Sequence, residues 1–242
     1  MTTGQQQLPP FHVAVIQSSI VTRTLALIHT SPVLVPVFNE LAKRTLGDAR
    51  VFHMVDESLI RNTIASGRLE KTTVRRLVHQ IESAGMAGAD VVLVTCSSIG
   101  PGVDAARLLF DFPILRIDES MAERAVEGGR RIGVIATLGT TLEPTVALLR
   151  ATAARLGRDA EVVERLCAGA FEAVVRGDTA THDRMVADAL DDLAKSVDVI
   201  VLAQASMARV ADALPPEART VPILSSPALA MQQAGEVLRS AR

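Results

Sequence analysis

The sequence predicts an α/β protein made of two pseudo-symmetric Rossmann-like halves with parallel sheets and a cleft shared between them. Three observations lead there. Runs of branched apolar residues alternate with helical stripes along the chain, which implies parallel strands joined by crossovers. The chain is 48 % hydrophobic but only 2 % aromatic, the balance of Val/Ile/Leu strands buried on both faces. The pattern also occurs twice. Val13-Ala14-Val15-Ile16 matches Ile132-Gly133-Val134-Ile135, Asp90-Val91-Val92-Leu93-Val94 matches Asp198-Val199-Ile200-Val201-Leu202, and Phe112-Pro113-Ile114-Leu115 matches Val221-Pro222-Ile223-Leu224, at spacings of 119, 108 and 109 residues. One such match between apolar runs is cheap; three in the same order are not. The division expected is a disordered tail over 1–10, a first half over 11–118 and a second over 119–242, with the C-terminal helix free to cross over.

Taken in order, residues 11–16 read as the first strand, closing on Gln17-Ser18-Ser19, with a loop through His29-Thr30-Ser31-Pro32. Leu34, Val37, Phe38 and Leu41 fall at i, i+3, i+4 and i+7, the stripe of an amphipathic helix. Residues 49–55 form a second strand ending in a loop at Asp56-Glu57-Ser58. Val74, Leu77, Val78 and Ile81 give another helical stripe before the strand at 91–94. Residues 113–117 are a short strand ending in Asp118-Glu119-Ser120, followed by a helix to about Glu127. The pattern then restarts. A strand at 131–136 empties into Thr137-Leu138-Gly139-Thr140-Thr141, and Pro144, favoured in a first turn, opens a helix. A short strand at 161–163 precedes the helical face of Met185, Val186, Ala189, Leu190 and Leu193. The strand at 198–202 runs into Ala203-Gln204-Ala205-Ser206, and a strand at 222–224 precedes a helix from Pro227.

The stretch Val91 to Gly102 carries the chemistry. Four branched apolar residues run into Thr95, Cys96, Ser97, Ser98 and a glycine-bracketed turn. The carboxyl ends of strands in open α/β sheets are where ligands sit, because the next helix points its unpaired N–H groups there. The dipole of such a helix favours a thiolate at Cys96, so a lowered pKa is expected. Carrying the repeat forward puts Cys96 opposite Gln204, Ser97 opposite Ala205, Ser98 opposite Ser206, and Ser18 opposite Thr137. One side of the cleft then has a thiol and the other an amide, which hydrogen-bonds but does not exchange a proton as an acid–base catalyst does.

Composition excludes several classes. A formal charge of −2 with no Trp or Tyr gives no basic stripe and few rings for stacking bases, so nucleic acid is not an expected partner. Two cysteines do not make a disulfide framework. The first ten residues lack the pattern of a signal peptide, and no apolar run reaches the roughly 18 residues of a membrane span. A cytoplasmic protein is expected. His12, His53, His79 and His182 show no metal spacing, and Gly133 with Gly139 falls short of a dinucleotide-binding turn.

The chain resembles the aspartate/glutamate racemase superfamily, which includes glutamate, aspartate and hydantoin racemases, maleate isomerase and arylmalonate decarboxylase. The resemblance runs from about Phe11 to Arg242. Its carriers are Thr95-Cys96-Ser97-Ser98, Gly133 to Thr137 with Thr140-Thr141, and Val201 to Met207. It implies catalysis without pyridoxal phosphate or any other cofactor, on a small carboxylate, in a homodimer. The family's first cysteine motif matches at Cys96. Its second falls on Ala203-Gln204-Ala205-Ser206 and has no cysteine; Cys167, with no strand read behind it, is taken as structural. Two-base racemisation is therefore in question. The resemblance also implies that decarboxylases of this type use one cysteine, in the second half, and that maleate isomerases use one as a nucleophile.

A carbon acid beside a carboxylate is weak, so a developing enediolate needs aimed donors. The candidates are Ser18, Ser97, Ser98, Thr137, Thr140, Thr141, Gln204 and Ser206, and the threonines are equally suited to cap a helix. His29-Thr30 is a further candidate for the cleft, and Asp118 either faces it or caps the next helix. Three functions fit: an isomerase or racemase using Cys96, a lyase of decarboxylase type protonating one face, or a carboxylate-binding protein without catalysis.

Overall fold

The computed structural model describes residues 22–240. Within them the strands form two four-stranded sheets, parallel throughout. The first contains β1 (Thr24–His29), β2 (Arg50–Val55), β3 (Val91–Val94) and β4 (Ile114–Arg116), in the order β2-β1-β3-β4. The second contains β5 (Arg131–Ala136), β6 (Glu161–Leu166), β7 (Val199–Leu202) and β8 (Ile223–Ser225), in the matching order β6-β5-β7-β8. The two pseudo-symmetric halves expected from the repeat are thus present.

The first strand, however, is Thr24–His29, where the sequence reads as a loop; residues 11–16 and Ser18 lie outside the described residues. Leu25, Ala26, Leu27 and Ile28 are all fully buried, which a central strand requires. Leu25 pairs with Val91, and Ile132 pairs with Val199. β1 therefore stands 107 residues before β5, in step with the spacings of 108 and 109 for the other two strand pairs. The residue opposite Thr137 is accordingly Thr30 and not Ser18.

Each sheet is covered on both faces, because alternate strand residues point to opposite sides. Leu25, Leu27, Val91 and Leu93 pack on Phe38 and Ala42 of α1 (Leu34–Thr45). Ala26, Ile28, Val92 and Val94 pack on the other side against Leu59 of α2 (Glu57–Ser66), Leu77 and Ile81 of α3 (Lys71–Met86) and Val103 of α4 (Gly100–Ala106). Burying a side chain the size of Phe38 contributes about 1.5–3 kcal/mol. Asp56 and Glu57, expected in a loop, begin α2: Asp56 is its N-cap and accepts from the Ser58 N–H, and Gly67 ends the helix at φ 68°, a conformation that favours glycine.

In the second half, α6 (Gly139–Arg155) and α5 (Glu119–Gly128) cover one face. The other face carries α7 (Ala170–Val175), α8 (Thr179–Ala194) and α9 (Ala208–Ala213). α6 begins at Gly139, so Pro144 lies inside the helix and does not open it. The ring costs one backbone bond there.

The last helix of each half covers the other half's sheet. α5 follows β4 but lays Met121, Ala122, Ala125 and Val126 on β5 and β7. α10 (Ser226–Ser240) follows β8 but lays Ala230, Met231, Ala234 and Leu238 on β1 and β3. The two exchanged helices also pack against each other.

Candidate active site

In the first sheet the chain leaves β1 for a helix on one face and reaches β3 from a helix on the other. A crevice opens at such a switch point, outside the carboxyl ends of the two central strands. Thr30 follows β1 and Cys96 lies just beyond β3, so both stand at that crevice. In the second sheet the equivalent places, beyond β5 and β7, belong to Thr137 and Gln204.

Cys96 is extended (φ −139°, ψ 115°) and caps a 3₁₀ turn, Ser97–Ile99, whose last N–H donates to the Cys96 carbonyl at 3.3 Å. The turn runs directly into α4 at Gly100. A β-carbon on Gly100 would lie 2.7 Å from the Arg116 guanidinium, so a larger residue there would have to push that buried side chain aside. Cys96 is half-buried. Burial pushes its thiol above the ordinary value, against the opposing pull of the Thr30 hydroxyl, the Ser98 and Ile99 N–H groups and the Ser98 hydroxyl. The lowered pKa expected from the helix dipole is thus corrected: desolvation of the charged form outweighs the donors.

Gln204 holds the same place in the second half. It too is extended (φ −130°, ψ 138°) and caps a 3₁₀ turn, Ala205–Met207, with the Met207 N–H donating to its carbonyl at 3.1 Å. Its side chain is bound at both ends to one residue: Oε1 accepts from the Thr137 N–H at 2.7 Å, and Nε2 donates to Thr137 Oγ1 at 2.7 Å.

The halves meet through Ser98 and Thr141, whose hydroxyl oxygens are 2.7 Å apart and buried. A hydroxyl has one proton. When Ser98 donates to Cys96 it must accept from Thr141, which makes a donor chain from α6 to the sulfur. None of the three threonines caps α6 with its side chain. Thr137 serves Gln204, Thr141 serves Ser98, and the buried Thr140 Oγ1 has no hydrogen-bond partner among the described residues. Thr140 sits in the first turn of a 17-residue helix, where an anion is favoured. Ser97 is buried in the turn, whereas Ser206 is exposed and stands apart from these bonds.

Asp118 stands at the N-cap position of α5, but its carboxylate faces Arg116 at 3.1 and 3.2 Å instead of capping. Burial pushes its carboxyl up, against the Arg116 charge. Cys167 does have a strand behind it: it follows β6, an edge strand, away from the switch point. It is buried, with Sγ 3.7 Å from the Met185 carbonyl. Sequence reasoning placed Thr30 only loosely and passed over Arg116. The sequence spacings of 108 and 109 point to His29 or Ile28 opposite Thr137, and the 107-residue step that selects Thr30 comes from the pairing of β1 with β3 and of β5 with β7. Among the described residues no cluster of three or more metal-ligand side chains occurs, and no helix is long and apolar enough to cross a membrane.

Comparison with known proteins agrees with this fold. Residues 28–234 match the family model described as Asp/Glu/Hydantoin racemase. Glutamate racemase from Bacillus anthracis superposes with a TM-score of 0.70 at 18 % identity, over 90 % of this chain and 82 % of that one. Allantoin racemase from Klebsiella pneumoniae gives 0.67 at 19 % identity, over 90 % and 88 %. Aspartate racemase from Picrophilus torridus gives 0.67 at 14 %, over 88 % and 94 %. No curated protein matches the chain in sequence.

Proposed function

The chain belongs to the Asp/Glu/Hydantoin racemase family, and on that premise we propose that it is a cofactor-independent, isomerase-type enzyme acting on a small carboxylate through Cys96 alone. One observation carries the reading: Cys96 and Gln204 occupy equivalent caps, one with a thiol amid four donors and the other with an amide already bound to Thr137. The substrate carboxylate is assigned to the first turn of α6, where Thr140 offers an uncommitted hydroxyl. Thr30, Ser98 and Thr141 serve the sulfur.

In this reading the α-carbon of the acid lies against the sulfur. The thiolate form of Cys96 takes the α-proton and returns one to the same face, and charge that develops on the carboxylate as the carbon becomes planar is met by the hydroxyls and N–H groups. The high thiol pKa means that the resting group is the protonated form, which acts first as an acid. That favours a second reading, a lyase: loss of carbon dioxide from a malonate-type acid leaves the enediolate, and the Cys96 S–H then supplies the proton to one face.

The test is a panel of small α-amino, α-hydroxy and 2-substituted malonic acids in D₂O, followed by NMR and chiral chromatography. Deuterium at the α-carbon, lost in Cys96→Ser, is expected. Proton transfer by Cys96 alone gives exchange at one face of a chiral acid, and decarboxylation gives one labelled enantiomer. Turnover that survives Cys96→Ser would overturn both readings.

A further inference from the structure

A chain of polar side chains leads from the surface to the residue just before Cys96. His29, the last residue of β1, is fully buried, with Nδ1 2.7 Å from Thr95 Oγ1. Its Nε2 is 2.8 Å from Nδ1 of the half-buried His53, whose Nε2 is 2.9 Å from Oδ1 of the exposed Asn39. The two imidazoles stack at 5.1 Å between centroids, and Phe38 packs on His29 at 5.4 Å.

We propose that His29, backed by His53, is a positioning residue for Cys96, holding the ends of β1 and β3 together so that Thr30 keeps its donor on the sulfur. The bonds around His29 have a consistent sense. Thr95 Oγ1 lies 3.1 Å from the Ile28 carbonyl and donates to it, so it accepts from the Nδ1–H of a neutral His29. The remaining His29 nitrogen then accepts from the Nδ1–H of His53, which leaves His53 Nε2 an acceptor and needs the Asn39 amide turned so that its Nδ2 donates. Neutral His29 is what the site favours, since burial, and after it the neighbouring His53, holds its pKa down at about 4. His29 thus grips Thr95, which precedes the thiol, and its own successor Thr30 supplies a hydroxyl to the sulfur. Nothing in this role needs His29 to touch a substrate. It deepens the reading of Cys96 as the working thiol.

The test uses the full chain and reads Cys96 itself, by ultraviolet thiolate absorbance against a Cys96→Ser blank and by its iodoacetamide labelling rate. Loss of a hydrogen bond to a charged sulfur is expected to raise the Cys96 midpoint in His29→Phe by about one pH unit, roughly a tenfold slower labelling at a given pH. His29→Asn, which puts an amide where Nδ1 was, should restore most of it. His53→Leu, at a half-buried position, should move the midpoint the same way by less, and it decides the matter if His29→Phe does not fold. An unchanged midpoint in His53→Leu together with an unchanged one in His29→Phe, or no rescue by His29→Asn, would overturn the positioning role. These titrations need no substrate, so their outcome is separate from that of the deuterium test.

Discussion

The bond between Ser98 and Thr141 is the most direct test of how the halves are joined at the site. Both side chains are nearly fully buried, at 3 % and 2 % exposure, with their oxygens 2.7 Å apart. Thr141→Val keeps the shape and removes the hydroxyl, leaving Ser98 short of a donor; Ser98→Ala leaves Thr141 short of an acceptor. Each leaves a buried polar atom unpaired, at a cost of about 1–3 kcal/mol. For a chain of this length a loss of about 1.5 kcal/mol lowers Tm by roughly 3–6 °C. The double variant has no stranded atom, so its cost should fall short of the sum by about 1 kcal/mol or more. Urea unfolding of the four proteins, read by circular dichroism, measures this cycle. Additive losses, with coupling below about 0.3 kcal/mol, would refute the reasoning, because the hydroxyls would then be satisfied independently.

Two more outcomes can be stated. His29 falls from an ordinary 6.5 to about 4 in the fold, so the unfolded chain takes up a proton there that the folded chain refuses; stability from this group is complete above about pH 6.5 and is lost as pH falls towards about 4. Urea midpoints at about pH 7.5 and about pH 5 should differ less in His29→Asn than in wild type, and equal differences would sink the assignment. Gln204→Cys should place a second thiol opposite the first and allow deuterium exchange from both enantiomers of a turned-over acid, with Ala205→Cys as the neighbouring control; comparable two-face exchange by wild type would reveal a second base.

The parts of the site readable from sequence are those whose signals are local. Val91 to Val94 can hardly be anything but a buried strand, and the polar turn after it marks Cys96 at once. Gln204 followed from the repeat, because β3 and β7 keep their register. β1 was misplaced because residues 24–29 mix Leu and Ala with β-branched residues, so that propensity alone does not separate strand from helix, whereas residues 11–16 carry three β-branched residues, Val13, Val15 and Ile16. Pairing with Val91 decides it, and pairing is not a local property. Asp56 read as a solvated loop for a similar reason, since a capping aspartate and a loop aspartate look alike until the helix is seen. The direction of the Cys96 shift was the deeper miss. The helix dipole is written in the turn, but the burial that defeats it comes from the packed fold around the sulfur, and Ser98 meets Thr141 across 43 residues of chain.

The exchange of α5 and α10 bears on how two different residues, Cys96 and Gln204, can hold equivalent caps. Separated between Gly128 and Arg131, the first fragment would carry α5 with its own sheet elsewhere and would leave the face of Leu25, Leu27, Val91 and Leu93 without its α10 layer. Neither fragment would keep both faces of its sheet covered by its own helices. Two copies of a single half could complete each other by the same reciprocal loan of a helix, as domain-swapped dimers do. In such an assembly symmetry would force the same residue onto both walls of the cleft, two thiols or two amides. Covalent linkage into one chain lifts that constraint. Each half then varies independently while the borrowed helices keep the two in register, and the Cys96 cap can have an amide as its counterpart instead of its own image.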